Sequence, residues 1–365
     1  MKKIIYGNCY HYNRNYGCRL KEVIYKGYRT LILENEKIRI SILIDKGSDI
    51  IEFLYKPEDI DFMWQSPLGL KDKKSNIYTK NRNEGSFLDE YEGGWQELLP
   101  SMVASHNYKN SEIGIMGEIF SIPWNYSVLI DDIEKIKIKL FTRMVRTPFY
   151  IEKFITLKSN QSFIEIEEEI FNEAEEEFKF MWGHHPAIGI PFLSENCFID
   201  LPDGLIGKTY HMDLSDKNIL PLNVNFNWPF ILDKKGQEID LSKIMSPDVI
   251  TDFRFSIEGF KNGWYGITNP MLGVGFGFKW DINVFKYLWI WCSYKGFFNF
   301  PFYGRAYTIA LEPWSSIPDN FDDVLKLGSE LTLGPRRSLK TKYQVIVFKA
   351  NKRIRGFNNK SEPIF

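Results

Sequence analysis

The strongest constraint on this 365-residue chain is a two-residue hydrophobic period in its middle third. Ile136-Lys137-Ile138-Lys139-Leu140 alternates strictly, and Phe163-Ile164-Glu165-Ile166-Glu167-Glu168-Glu169-Ile170-Phe171 extends the pattern. Successive side chains of a strand point to opposite faces, so this period describes half-buried antiparallel strands rather than a helix. Shorter β-branched or aromatic runs recur on both sides, at 31–33, 38–44, 50–55, 273–278, 287–291, 307–311 and 341–348. Turn signals such as Asp45-Lys46-Gly47 separate them. One modest helix is expected over 320–326, loop over 214–250, and a polar tail over 351–365. No linker, repeat or low-complexity tract divides the chain, so residues 1–365 are expected to form a single all-β domain, a large antiparallel sandwich.

Charge and cysteine usage then remove several function classes. The formal net charge of −1 gives no footprint for nucleic acid or an anionic membrane. No run approaches the ~20 apolar residues a membrane helix needs. Cys9, Cys18, Cys197 and Cys292 form no CxxC and read as reduced thiols of a cytoplasmic protein, not a zinc site or disulfide framework. Gly273, Gly275 and Gly277 alternate within a strand and are not a phosphate-binding loop. Glu165, Glu167 and Glu169 share one strand face and read as solvated charge rather than as metal ligands. Aromatic residues, at 16% of the chain, suit strands and also a groove that stacks on sugar rings.

Two segments carry candidate chemistry. Met181-Trp182-Gly183-His184-His185-Pro186 sets two histidines side by side at the end of a strand pattern. Ala310-Leu311-Glu312-Pro313-Trp314 ends another strand with a single carboxylate. An imidazole and a carboxylate from distant strands, both among indoles, can form an acid/base pair in an aromatic-walled pocket. Only one of His184 and His185 can project into a given pocket, because neighbours on a strand diverge. The same divergence argues against both holding one metal ion. Trp289, on an alternating strand, reads as core. The long polar stretch from about 68 to 92 is marked by its length as functional or mobile.

In order along the chain, Gly93-Gly94-Trp95-Gln96-Glu97-Leu98-Leu99-Pro100, Gly117-Glu118 with Pro123-Trp124, Arg146-Thr147-Pro148-Phe149, the Trp182–Ala187 segment and Leu311-Glu312-Pro313-Trp314 resemble the aldose 1-epimerase (galactose mutarotase-like) superfamily. The likeness is greatest to a poorly characterised mutarotase-like branch and covers roughly residues 35–348. It implies a β-supersandwich and interconversion of sugar anomers, without metal, nucleotide or other cofactor. By the same resemblance Glu312 is the base that takes the anomeric proton and His185 the acid that protonates the ring oxygen. Trp95, Glu97, Glu118, Trp182, His184 and Trp314 are the candidate contacts to a small-molecule sugar; Glu97 and Glu118 also have structural readings, as has His184. The oligomeric state is not specified.

Two positions depart from the pattern. Met116 stands where the galactose-acting members carry a second histidine, which removes a hydrogen-bond donor; His106 is a possible substitute from a nearby loop. Glu92 stands where the hexose-6-phosphate branch has an arginine, which disfavours a phosphosugar, although Arg82, Arg143 and Arg305 leave one open. A sugar-binding protein that has lost catalysis is therefore the alternative, with Met116 its best support. A hydrolase or lyase would need a second acid facing Glu312, with Glu97, Glu118 and Asp281 as the candidates.

Overall fold

The alternating runs become some of the longest strand pairings in the molecule. In the structure, a computed structural model that describes residues 14–75, 87–102 and 104–365, Lys135–Arg143, Phe149–Lys158, Phe163–Asn172 and Ser338–Lys349 lie antiparallel in one sheet. Asn125–Asp131, Phe198–Asp200, Gly263–Asn269 and Val274–Trp280 complete its eight strands. Ile136, Ile138, Leu140, Ile164, Ile166 and Ile170 turn inward and are buried. The opposite parity meets water, where Lys158, Lys137 and Lys340 pair with Glu165, Glu167 and Glu169. Such exposed pairs contribute only about 0–1 kcal/mol each, so the buried isoleucine parity sets the register.

The second sheet has twelve strands and joins segments far apart in sequence. Trp95–Leu98, Gly183–Ile188, Tyr307–Trp314, Tyr287–Tyr294 and Thr251–Glu258 lie side by side in that order at its centre. Gly183–Ile188 is buried along its whole length, as a central strand covered on both faces must be. One apolar cluster draws on both sheets, including Ile40, Phe53, Ile155, Ile166, Phe276 and Ile290. Another, with Trp64, Tyr91, Trp291, Phe302 and Trp314, is distinct from it. The fold is all-β, as the alternation required, and among the described residues no helix is long and apolar enough to cross a membrane.

The expected helix is present one residue later, at Phe321–Leu327, with the Asn320 side chain accepting from the Asp323 N–H and Gly328 closing it in the left-handed region. Two expectations need correction. Within 214–250, Asn225–Asn227, Phe230–Leu232 and Glu238–Asp240 are strands, each too short for its period to register in sequence. The expected polar tail is packed, with Gly356–Phe357 and Pro363–Ile364 paired and Ile354 buried. Glycines on two neighbouring strands of the eight-stranded sheet explain why. A side chain on Gly277 would lie 2.4 Å from the Phe357 ring, and one on Gly266 would lie 2.7 Å from Ile354. These glycines leave a groove on the sheet that the C-terminal segment fills. The thiols of Cys18, Cys197 and Cys292 are free and buried; Cys9 lies outside the described residues.

Candidate active site

Strand parity separates the two adjacent histidines. On Gly183–Ile188, His184 turns toward the eight-stranded sheet and His185 toward the opposite face of the larger one. Pairing sets Gly183 opposite Trp314 and Ala187 opposite Ala310, which brings His185 level with Glu312 on the adjacent strand. His185 Nδ1 lies 2.8 Å from Glu312 Oε2. The contact is an ion-pair distance without the alignment of a linear hydrogen bond. The other ring nitrogen, Nε2, is 2.9 Å from the Tyr91 hydroxyl. Burial, followed by the charges of Glu312, Glu92 and Asp49, pushes the Tyr91 phenol well above its usual range, so it stays protonated.

Gly183 fixes the carboxylate end of this chain of contacts. The Trp314 indole lies flat over it, and a Cβ at position 183 would be 2.1 Å from that ring. From there Trp314 Nε1 donates to Glu312 Oε2 at 3.1 Å. Trp289 faces Glu312 across the neighbouring strand pair, and Trp291 stacks on the His185 ring at 5.9 Å and 18°. Met116, Arg254 and Phe302 also line the cavity, which encloses about 60 Å³. Phe87, Leu88 and Tyr91, the described end of the long polar stretch, form part of its wall; residues 76–86 lie outside the described set. Trp289, expected in the core, is buried in the second apolar cluster and also lines this cavity, because its parity matches Glu312 rather than the inter-sheet face.

Of the candidate site residues, His185 and Glu312 line the cavity; Trp95, Glu97, Glu118, Trp182, His184 and Trp314 do not. His184 belongs to a buried polar cluster between the sheets. Its Nε2 is 3.3 Å from Glu168 Oε2, and Trp95 Nε1 donates to its Nδ1 at 3.4 Å. Lys153 Nζ sits 2.7 Å from Glu97 and 3.4 Å from Glu168, while Trp182 Nε1 donates to Glu97 at 2.8 Å and Tyr343 to Glu168 at 2.7 Å. Burial and the neighbouring Glu168 push the Glu97 carboxyl up. Against its own burial, Glu168 is held below the usual range by His184, Lys153 and Tyr343.

Glu118 accepts the backbone N–H groups of Val145, Arg146 and Thr147 and so fixes the turn before Phe149–Lys158. Glu92 is a partner of Lys46, at 2.8 Å. His106 stacks on Phe321 at 4.6 Å, away from the cavity lining, and burial lowers its pKa. Met116 occupies the wall with φ 63°, in the left-handed region that side chains disfavour. Among the described residues no group of three or more His, Cys, Asp or Glu is placed to hold a metal ion.

Comparison with known proteins adds a family and a fold. A family model described as a domain of unknown function, DUF4432, matches residues 25–210, just over half of the chain. The chain belongs to the DUF4432 family. The matched part of this DUF4432 protein holds Tyr91 and His185, while Glu312, Trp291 and Arg254 lie beyond it. No curated protein matches the chain. Among solved structures, a candidate aldose 1-epimerase from Klebsiella pneumoniae is similar at 12% identity, over 93% of this chain and 85% of that one, with a TM-score of 0.72. A galactose mutarotase-like protein from Clostridium acetobutylicum shares 15% identity over 91% and 99% of the two chains, with a TM-score of 0.63. At these identities the likeness establishes a galactose mutarotase-like fold, and the site must be argued from its own geometry.

Residues that the sequence reading did not single out are Tyr91, Trp291, Phe302 and Arg254. A signal existed for the last. Asp252-Phe253-Arg254-Phe255-Ser256-Ile257 alternates, with Phe253, Phe255 and Ile257 in the inter-sheet core, which sends Arg254 to the other face.

Proposed function

We propose that this DUF4432 protein is an aldose 1-epimerase-like isomerase that interconverts the anomers of a sugar by opening its ring. The observation that carries the reading is the direct contact of His185 Nδ1 with Glu312 Oε2 at 2.8 Å, on the wall of an aromatic-lined cavity. Glu312 takes the proton of the anomeric hydroxyl, and the His185–Tyr91 pair supplies one to the ring oxygen. The C1–O5 bond breaks, the aldehyde end rotates, and reclosure returns both protons. Net proton count is unchanged, so the reaction needs no oxidant or cofactor. Acid/base groups in such positions contribute ~10²–10⁴-fold each. Trp289 and Trp291 offer indole faces to the C–H face of the sugar.

The test is anomer exchange followed by NMR saturation transfer over a panel of free aldoses, deoxysugars, sugar acids and sugar phosphates. Accelerated exchange of one class is expected, falling at least a hundredfold in Glu312→Gln and in His185→Ala. Exchange that survives either substitution removes that residue from the mechanism. Specific sugar binding without acceleration would instead favour a non-catalytic sugar-binding protein, the reading that Met116 supports, and would make Met116→His the informative reversion.

A further inference from the structure

We infer that the sugar taken by this cavity carries an anionic group, a carboxylate or a phosphate, and that the Arg254 guanidinium holds it; the inference rests on the reading of His185 and Glu312 above. Arg254 lines the same cavity as that pair. Its Nε is buried without a hydrogen-bond partner, and the carboxylate whose charge it feels, Asp252, acts on it through space. The other donors of the lining are taken. Tyr91 meets His185, Trp289 Nε1 donates to the Ser316 carbonyl, Trp291 Nε1 donates to Asp252, and the Tyr210 hydroxyl donates to Asp319. Arg254 Nε is thus a lining donor left without a hydrogen-bond partner.

Arg254 is half-buried, and a buried N–H without a partner costs free energy that an anionic oxygen at the cavity mouth would recover more fully than a neutral sugar hydroxyl. Asp252 is the nearest candidate within the chain. It is buried, accepts from the Trp291 indole at 3.2 Å through Oδ2, and its charge acts on Arg254 through space without an ion-pair contact. The Arg254 guanidinium rests over the Trp291 ring at 5.8 Å, and such stacking leaves its fork of N–H groups free for bidentate recognition of an anionic oxygen pair.

The register fixes where that anion lies on the sugar. Arg254 pairs with Trp291, and Trp291 with Ala310. Arg254 is therefore two strands across and two residues along from Glu312, about 12 Å between Cα atoms by strand spacing and rise. Both side chains rise from the same face of the sheet, so their tips stand about that far apart, the span of a sugar ring with one exocyclic substituent. The charged group accordingly sits at the end of the sugar remote from the anomeric carbon, as in a uronic acid or a terminal sugar phosphate.

The experiment compares neutral and charged congeners on the full chain. Glucose and galactose are titrated against glucuronate, galacturonate, glucose 6-phosphate and galactose 6-phosphate by calorimetry, with anomer exchange measured in parallel. Expected is binding at least tenfold tighter for one charged set than for its neutral parents. Arg254→Met should abolish that difference and Arg254→Lys should restore part of it, with urea unfolding checking that both variants fold. Preference for the uronates assigns a carboxylate; preference for the phosphates assigns a phosphate. Equal or tighter binding of neutral sugars, an unchanged preference in Arg254→Met, or no binding of any charged sugar overturns the inference. Failure of the catalytic reading would look different: Arg254-dependent binding would persist while wild type and Glu312→Gln exchange anomers at the same rate.

Discussion

Replacing Lys153 with methionine isolates the buried cluster that encloses His184. Lys153 is 6% exposed, and its ammonium stands between Glu97 at 2.7 Å and Glu168 at 3.4 Å, with the Ser48 hydroxyl at 3.0 Å. Methionine fills nearly the same volume and removes the charge, leaving two carboxylates face to face with only His184 and the Trp182 and Tyr343 donors to compensate them. Breaking a buried pair by deleting one partner costs about 3–5 kcal/mol, and a protein of this kind has about 5–15 kcal/mol in all. The expected result is a urea midpoint lowered by about a fifth or more at pH 7 with an unchanged slope. The pH dependence supplies the sign. In the wild type Glu168 is held below its unfolded value, so its contribution is present above the unfolded pKa and is lost as pH falls through the folded one. In the variant both carboxylates prefer protons, so the gap between variant and wild type narrows toward pH 4. Adding Glu97→Gln and Glu168→Gln should recover most of the loss. A change below about 1 kcal/mol at pH 7, or a gap independent of pH, would refute the view that these charges hold one another in place.

Two further outcomes follow from the geometry. Gly183→Ala puts a methyl 2.1 Å from the Trp314 ring that donates to Glu312; a loss of about 1–3 kcal/mol by urea unfolding, together with reduced anomer exchange, is expected, and unchanged exchange would separate Trp314 from the site. Asp61 has its pKa raised from 3.8 to about 6, first by burial and further by the Glu52 charge, against the N–H groups of Phe53 and Met63. Between those values the folded chain holds a proton that the unfolded chain does not, so stability falls as pH rises from 4 to 6, by about 3 kcal/mol. Asp61→Asn keeps the carbonyl acceptor and removes this slope; parallel unfolding curves for the two proteins across that window would sink the argument.

The exposed faces of a sandwich and its interior obey different rules, and this decides how far the sequence could be read. Period two in 136–140 and 163–171 dictated antiparallel strands, because only that period buries one row of isoleucines while lysine and glutamate meet water. The same parity already contained the inter-sheet cluster. Lys153 falls on the row of Phe149, Ile151, Ile155 and Leu157, and Glu168 on the row of Ile164, Ile166 and Ile170, so each is a charge on an apolar stripe. Their direct register, Lys153 opposite Glu168, is a property of the paired sheet.

The site divides in the same way. Sequence alone determined that His184 and His185 must face apart, that a carboxylate ends the 307–314 strand, and that indoles surround both. Strand order then decided which histidine meets Glu312: Gly183–Ile188 is inserted between Trp95–Leu98 and Tyr307–Trp314, and nothing local in the chain encodes that neighbourhood. Tertiary structure likewise gave Glu97, Glu118 and His184 to interior and turn contacts and brought Tyr91, Trp291 and Arg254 to the cavity. The physical reason is the range of the forces. Alternation is a nearest-neighbour consequence of backbone geometry, whereas a cavity is formed by side chains from segments more than two hundred residues apart, Phe87 and Glu312 among them, whose packing minimises exposed apolar surface over the whole sheet.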